Sequence, residues 1–130
     1  MIGLDTNVLV RYLQQDDPHL SPKTAALVHS LSSERQGYIS LVTLVELVWV
    51  LIRKFKLGRK EIVHIVDSLL RSEELIIERS SFVRSVLYIY ENSKAGFSDC
   101  LIAEQGRIAG CDYTLTFDQT AAKAGVMKPL

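Results

Sequence analysis

Short apolar runs alternate along this chain with longer segments of helical periodicity, and this alternation limits the possible folds more than any other feature. The segments between the runs place apolar residues three and four positions apart, as amphipathic helices do. Strands separated by helices favour a layered domain with a parallel sheet. We therefore predict a single α/β domain over residues 1–130, with a central parallel sheet flanked by helices. The predicted strands are Ile2–Leu4, Tyr38–Ile39, Leu75–Ile77 and Tyr113–Thr116.

The helical segments carry recognisable start signals. Ser21 followed by Pro22 predicts an N-cap and a first helical residue, and Ser98 is the predicted N-cap of a later helix. Leu41–Phe55 is apolar nearly all round, so we expect that helix to be largely buried. The predicted helices are Thr6–Gln15, Ser21 to about Ser33, Leu41–Phe55, Arg59–Arg71, Phe82–Tyr90, Ser98–Ala109 and Asp118–Ala124.

Composition excludes some classes of protein. With 48% hydrophobic residues in 130, the chain can bury a core and is not intrinsically disordered. Lys+Arg and Asp+Glu number 15 each, so the formal net charge is zero, whereas a protein relying on non-specific nucleic-acid affinity is usually basic. A nucleic-acid-binding chain with this composition must use a local patch, a metal site or a partner.

The cysteines and the apolar stretches predict a compartment. Cys100 and Cys111 are too few for a disulfide framework and wrongly spaced for a zinc ribbon, and Cys100 fits a small core residue. No signal peptide is recognisable at the N-terminus. The longest apolar stretch, Leu41–Ile52, is too short to span a bilayer. We expect a reduced, cytoplasmic protein that does not enter a membrane.

Three aspartates lie where secondary-structure elements begin or end. Asp5 follows the first predicted strand, Asp118 follows the last, and Asp99 opens a helix. Ligands of open parallel sheets bind beyond the carboxyl ends of the strands, so Asp5 and Asp118 would share one rim if their strands are adjacent. Each aspartate also has a local alternative: Asp5 and Asp118 could cap helices, and Asp99 suits a helix N-terminus.

Glu46 is the only charged residue in Leu41–Ile52. A buried, unpaired carboxylate costs several kcal/mol, which predicts a cation beside it. The alternative is a capping box between Thr43 and Glu46. Oxygen ligands from Asp5, Glu46, Asp99 and Asp118 would select Mg²⁺ or Mn²⁺ rather than zinc.

Four stretches together resemble a known family. Leu4–Leu9, Ile39 to Leu47, Phe97–Ala103 and Thr114–Asp118 follow in the order found in PIN-domain ribonucleases, specifically the VapC-type toxins of toxin–antitoxin pairs. They span almost the entire chain. Cys100 departs from the alanine that is frequent there in the family.

The resemblance implies a metal-dependent endoribonuclease. Asp5, Glu46, Asp99 and Asp118 fall on the family's acidic metal-site positions, where a metal-activated water would hydrolyse RNA phosphodiester bonds. Thr6, Asn7 and Thr116 match residues that orient the carboxylates or contact substrate. The resemblance also implies a homodimer and neutralisation by a small antitoxin protein.

Other polar and aromatic residues are open to two interpretations. Arg53, Lys54 and Lys56, with Arg59 and Lys60 after them, are candidates for RNA contact or an ordinary solvated helix end. Glu104 and the three histidines fit helix surfaces, with no Ser or Cys partner for a histidine. The residues predicted to lie in the core or an interface rather than under a base are Tyr12, Trp49, Tyr88 and Tyr90.

Two other functional classes compete with the nuclease. One is a non-catalytic PIN-like module used for binding or assembly, against which only the intact acid set argues. The other is a Mg²⁺-dependent phosphoryl-transfer domain of receiver or phosphatase type. A receiver needs an acidic pair after its first strand and a haloacid-dehalogenase-like phosphatase needs Asp-x-Asp, but Thr6 and Asn7 follow Asp5.

Overall fold

The structure, a computed structural model, describes all residues from Met1 to Leu130. Its strands are β1 (Ile2–Gly3), β2 (Gly37–Ile39), β3 (Leu75–Ile77), β4 (Leu115–Thr116) and β5 (Lys128–Pro129). Its helices are α1 (Thr6–Leu13), α2 (Pro22–Ser30), α3 (Leu41–Arg53), α4 (Arg59–Arg71), α5 (Ser80–Glu91), α6 (Phe97–Ala109) and α7 (Gln119–Lys123).

The strands form two parallel sheets. β1, β2 and β3 pair in that order, with Gly3 opposite Tyr38 and Tyr38 opposite Ile76. β4 pairs with β5 in a separate sheet. The predicted α/β domain with a parallel sheet flanked by helices is confirmed. The adjacency of β1 and β4 is not found, because β4 pairs only with the unpredicted strand of the C-terminal tail.

The sequence predicts the start of α2 correctly but not the start of α6. Ser21 caps α2 by accepting a hydrogen bond from the Thr24 N–H, with Pro22 as the first helical residue, as predicted. The prediction that Ser98 caps α6 is wrong: the N-cap is Gly96. Phe97 is buried against Tyr90, with an edge-to-face contact of 5.6 Å between ring centroids, and this packing starts the helix earlier.

The core lies between the three-stranded sheet and the helices around it. Cys100 is fully buried there, as predicted. Gly37 is needed for close packing, since a Cβ at this position would lie 2.7 Å from the Leu4 side chain. No helix is both long and apolar enough to cross a membrane. The largest fully buried side chains are Leu9, Ile39, Leu44, Leu47, Ile62, Val66, Val83, Val86 and Cys100.

Helix α3 contradicts the expectation that it is largely buried. Leu44 and Leu47 on its inner face are fully buried, but Val42 and Trp49 are 69% and 60% exposed. The helix packs against α1, α4 and α6, and these contacts cover only one side of it. It is therefore a surface helix whose outer face carries apolar residues beside the charged Glu46 and Arg53.

Candidate functional site

The first part of the candidate site is built around Thr6. Asp5 follows β1 as the N-cap of α1, and its Oδ1 accepts a hydrogen bond of 2.8 Å from the Thr6 N–H. The Thr6 hydroxyl is buried and donates to Glu46 Oε2, also at 2.8 Å. One threonine thus connects the carboxylates of Asp5, at the start of α1, and Glu46, within α3, which are 41 residues apart in the sequence.

These two carboxylates line a pocket of about 570 Å³ between α1 and α3. Asn7 and Lys54, both candidate site residues, line it as well. Arg11 and Gln14 also face this pocket and were not identified from the sequence. Helical spacing could have found Arg11, which lies four residues after Asn7 on the same face of α1.

The reasoning that led to Glu46 from the sequence is wrong in two respects. Glu46 is exposed, so burial does not require a cation beside it. Thr43 does not begin a capping box, because the N-cap of α3 is Ser40, whose hydroxyl accepts from the Thr43 N–H at 3.1 Å. The observed partner of the Glu46 carboxylate is Thr6 on another helix.

The second part of the site contains Asp99 and Asp118. Burial raises the pKa of Asp99 above its ordinary value, and the negative charge of Asp118 raises it further. Asp118 is the N-cap of α7, as its alternative interpretation predicted, and accepts from the Thr120 and Ala121 N–H groups. The Thr116 hydroxyl accepts from the Asp118 N–H at 2.9 Å, which ties Thr116 to this acid.

The four acids therefore occur as two pairs. Nowhere do three Asp, Glu, His or Cys side chains lie close enough to hold one metal ion together. The donor chemistry suits Mg²⁺ or Mn²⁺, because every candidate ligand is a carboxylate oxygen. The environment of Asp99 disfavours its negative charge, and a cation bound beside it would stabilise that charge. The geometry as it stands does not complete a ligand set.

The basic residues divide into two groups. Arg53, Lys54 and Lys56 are exposed at the end of α3, and Arg53 lies over the Trp49 ring with 5.3 Å to the centroid. Arg59 is turned inward: its guanidinium donates to the Tyr90 and Ala95 carbonyl oxygens at 2.9 and 2.8 Å. Arg59 therefore does not belong with the exposed basic side chains at the end of α3.

Two other expectations need correction. Glu104 was expected on a solvated face of its helix, but its side chain is buried. Its carboxylate forms an ion pair with the exposed Arg107, one turn further along α6. Tyr12 and Tyr90 are buried in the core as predicted, whereas Trp49 and Tyr88 are largely exposed, which excludes the core for them and leaves the interface as their prediction. The exposed Trp49 lies one turn after Glu46. The predicted surface positions of His19, His29 and His64 are confirmed.

Comparison with known proteins gives the family. The PIN domain family model matches residues 2–126. A VapC ribonuclease of Aquifex aeolicus (strain VF5) is 23% identical over 122 residues, covering 94% of this chain and 90% of that protein. The structure of FitAB bound to an IR36 DNA fragment aligns with 100% of this chain and 94% of its own, at 20% identity and a TM-score of 0.39, which is too distant to support an inference. The PIN domain match includes all four acidic positions, and this chain belongs to the PIN-domain family.

Proposed function

We propose that this protein is a metal-dependent endoribonuclease that acts as the toxin of a toxin–antitoxin pair. The observation that carries the proposal is the Thr6-linked pair of Asp5 and Glu46 in an open pocket, within a chain of the PIN-domain family. The likeness to a VapC ribonuclease supports RNA as the substrate. Asp99 and Asp118 complete the proposed acid set.

The proposed cofactor is Mg²⁺ or Mn²⁺, held by Asp5, Glu46, Asp99 and Asp118. When bound, such an ion makes water a better nucleophile at neutral pH and neutralises charge on a phosphate. The residues of the chain have separate tasks. Thr6 fixes the orientation of two carboxylates through its N–H and its hydroxyl. Lys54 and Arg11 supply positive charge in the same pocket, where a phosphodiester would lie.

Two protein partners belong to the proposal. They are a cognate antitoxin and a second copy of the chain, both of which the resemblance to VapC-type toxins implies. Several apolar side chains on the surface offer area for such contacts, among them Phe117, which is 83% exposed beside Asp118. A protein that covers Phe117 would also limit access to Asp118, as an inhibitor of the proposed activity must.

The decisive experiment replaces Asp99 by Asn, which keeps the shape of the side chain and removes its charge. We expect Asp99→Asn to lower RNA cleavage in Mg²⁺ or Mn²⁺ by at least about 100-fold, on the scale of lost transition-state stabilisation by a charged group. Gel analysis of end-labelled RNA measures the rate. The matched control is Asp16→Asn, a change at an exposed carboxylate on the loop after α1.

Two results would contradict the nuclease. One is equal cleavage by the wild type and Asp99→Asn, and the other is full activity of the wild type in excess EDTA. If neither result is obtained, mapping of cleaved 5′ ends in cells that express the protein identifies the RNA.

A non-catalytic binding module is the second candidate function. The observation that favours it is the separation of the acids into two pairs, with no group of three. A binding module would bind RNA or a protein partner with no cleavage in any divalent metal, and Asp99→Asn would leave that binding unchanged.

A further inference from the structure

The outer face of α3 carries a stripe of four residues at helical spacing, which we call the α3 stripe: Val42, Glu46, Trp49 and Arg53. Trp49 is 60% exposed, although tryptophan is the largest side chain and ordinarily contributes most of its area to a core or an interface. It is the sole tryptophan of the chain. An exposed residue of this kind beside a candidate site is an indication of binding.

The environment of Trp49 resembles a nucleic-acid contact more than a protein interface. The Arg53 guanidinium lies over the indole, 5.3 Å from its centroid, in a cation–π arrangement. Glu46 and Arg53 flank Trp49 on the stripe, and both are exposed. Glutamate is depleted at the centres of protein interfaces, so the exposed Glu46 beside Trp49 makes a second copy of the chain a poorer occupant.

Trp49 also lies close enough to the pocket for one nucleotide to contact both. Trp49 lies three residues after Glu46, and side chains at this spacing are neighbours on a helix, with about 5–6 Å between Cβ atoms. Glu46 lines the pocket together with Lys54. One nucleotide could therefore place its base on the indole and its phosphate towards the basic side chains around the pocket, of which Lys54 and Arg11 are members.

We propose that Trp49 is a stacking platform for one unpaired base of an RNA strand whose backbone enters the pocket of Asp5 and Glu46. Choosing RNA as the ligand rests on the proposed ribonuclease function. The charges support this occupant, since exposed Arg53, Lys54 and Lys56 accompany the indole at the end of α3. A base in a duplex has both faces covered by its neighbours, so this subsite selects single-stranded segments.

Fluorescence of the sole tryptophan tests the proposal directly. The probe is an oligouridylate of about ten nucleotides, added in EDTA so that it is not cleaved, with the same strand paired to oligoadenylate as the comparison. We expect the single strand to quench the Trp49 emission and the duplex to leave it nearly unchanged.

Substitutions separate stacking from folding. By fluorescence anisotropy of a labelled oligouridylate, Trp49→Ala should weaken binding about tenfold, on the scale of one lost stacking contact, and Trp49→Phe should restore most of it. Tyr88→Ala is the matched control, because Tyr88 is an equally exposed aromatic residue on α5. Circular dichroism shows whether each variant is folded.

Two outcomes would overturn the proposal. The first is unquenched Trp49 emission at oligouridylate concentrations that saturate binding, or equal affinity of Trp49→Ala and the wild type. The second is emission that depends on protein concentration, with a dimer in sedimentation velocity that Trp49→Ala dissociates, since this face would then be an interface between copies. If oligouridylate quenches Trp49 but no RNA is cleaved in any divalent metal, the proposed ribonuclease activity is contradicted and the proposed stacking subsite is supported. If RNA is cleaved without quenching, only the subsite fails.

Discussion

Asp99 is the residue whose charge fits its surroundings least in the isolated chain. It lies in the first turn of α6, where a negative charge is ordinarily favourable. Even so, burial and the neighbouring Asp118 raise its pKa above the usual value, so the environment as a whole disfavours the ionised form. Such a conflict between local stability and charge is typical of functional carboxylates.

We therefore expect Asp99→Asn to stabilise the metal-free protein while it removes activity. Because Asp99 is only partly buried, solvent screening limits the gain to less than about 1 kcal/mol, or a few degrees in Tm. Thermal unfolding at pH 7 in EDTA measures it, with Asp16→Asn as the control.

The sign of the pH dependence follows from the raised pKa. The folded protein holds the Asp99 proton more tightly than the unfolded chain, whose carboxyl has a pKa of about 3.9. Protonated Asp99 therefore contributes to the free energy of unfolding in full below the unfolded-state pKa. This contribution is lost as the pH rises through the pKa of Asp99 in the folded protein. The advantage of Asp99→Asn should shrink as the pH falls towards about 4, and an advantage that grows there would contradict this account.

At the residue scale, the sequence predicts the positions of the acidic residues better than it predicts their burial and their hydrogen bonds. Asp5 and Asp118 were placed correctly because strand ends and caps are local features. Glu46 was identified on the assumption of burial, which depends on tertiary packing of α3 and was wrong. The hydrogen bond from Thr6 joins residues on different helices, and no local pattern encodes such a contact.

At the scale of elements, Arg59 connects three helices. It is the first residue of α4, and its guanidinium binds the carbonyls of Tyr90 in α5 and Ala95 in the loop before α6. The same group lies over the Tyr90 ring, 4.2 Å from the centroid. This contact fixes the segment from which α6 and Asp99 begin.

We expect Arg59→Met to destabilise the protein by about 1.5–3 kcal/mol, the typical net value of hydrogen bonds to a charged group. Methionine keeps an apolar stem but removes every donor. Urea unfolding measures the change, and Lys60→Met provides the control, because Lys60 is exposed one position further along the same helix. Equal stability of the two variants would show that the contact contributes little.

Element predictions failed where packing overrides local signals. Ser98 has the side chain of an N-cap, but α6 begins earlier because Phe97 is buried against Tyr90. The basic run after α3 looked uniform in sequence, yet Arg59 differs from Lys54 and Lys56 because only Arg59 reaches buried carbonyls. The sequence pattern does not predict β5, because a strand of two residues is too short to show an alternation of apolar and polar residues.

At the scale of the whole molecule, the two acidic pairs lie on different hydrogen-bonded frameworks. Asp5 follows the three-stranded sheet, and Asp118 follows β4 in the two-stranded one. The sequence alternation predicted the parallel layers correctly, but strand adjacency is a long-range property that two-residue strands do not specify.

A metal titration tests whether the pairs act together. If one ion uses both, Mn²⁺ at a hundred times its Kd should raise the free energy of unfolding by about 2.7 kcal/mol in the wild type. Thermal shift should then show little effect of Mn²⁺ on either Asp5→Asn or Asp118→Asn. Retention of the full Mn²⁺ effect in one of these variants would assign the ion to the other pair alone, and Asp16→Asn should behave as the wild type does.

The separation of β1 from β4 also affects which changes the protein tolerates. Neighbouring strands of one ladder are held about 4.8 Å apart, but no backbone hydrogen bond joins these two. The spacing between the acidic pairs is therefore set by the packing of the helices, in which α6, with its buried Leu101, contacts α3 and α5. Substitutions at such buried apolar positions would change the affinity of the site for a metal ion. Evolution can therefore adjust that affinity without replacing any of the four acidic residues.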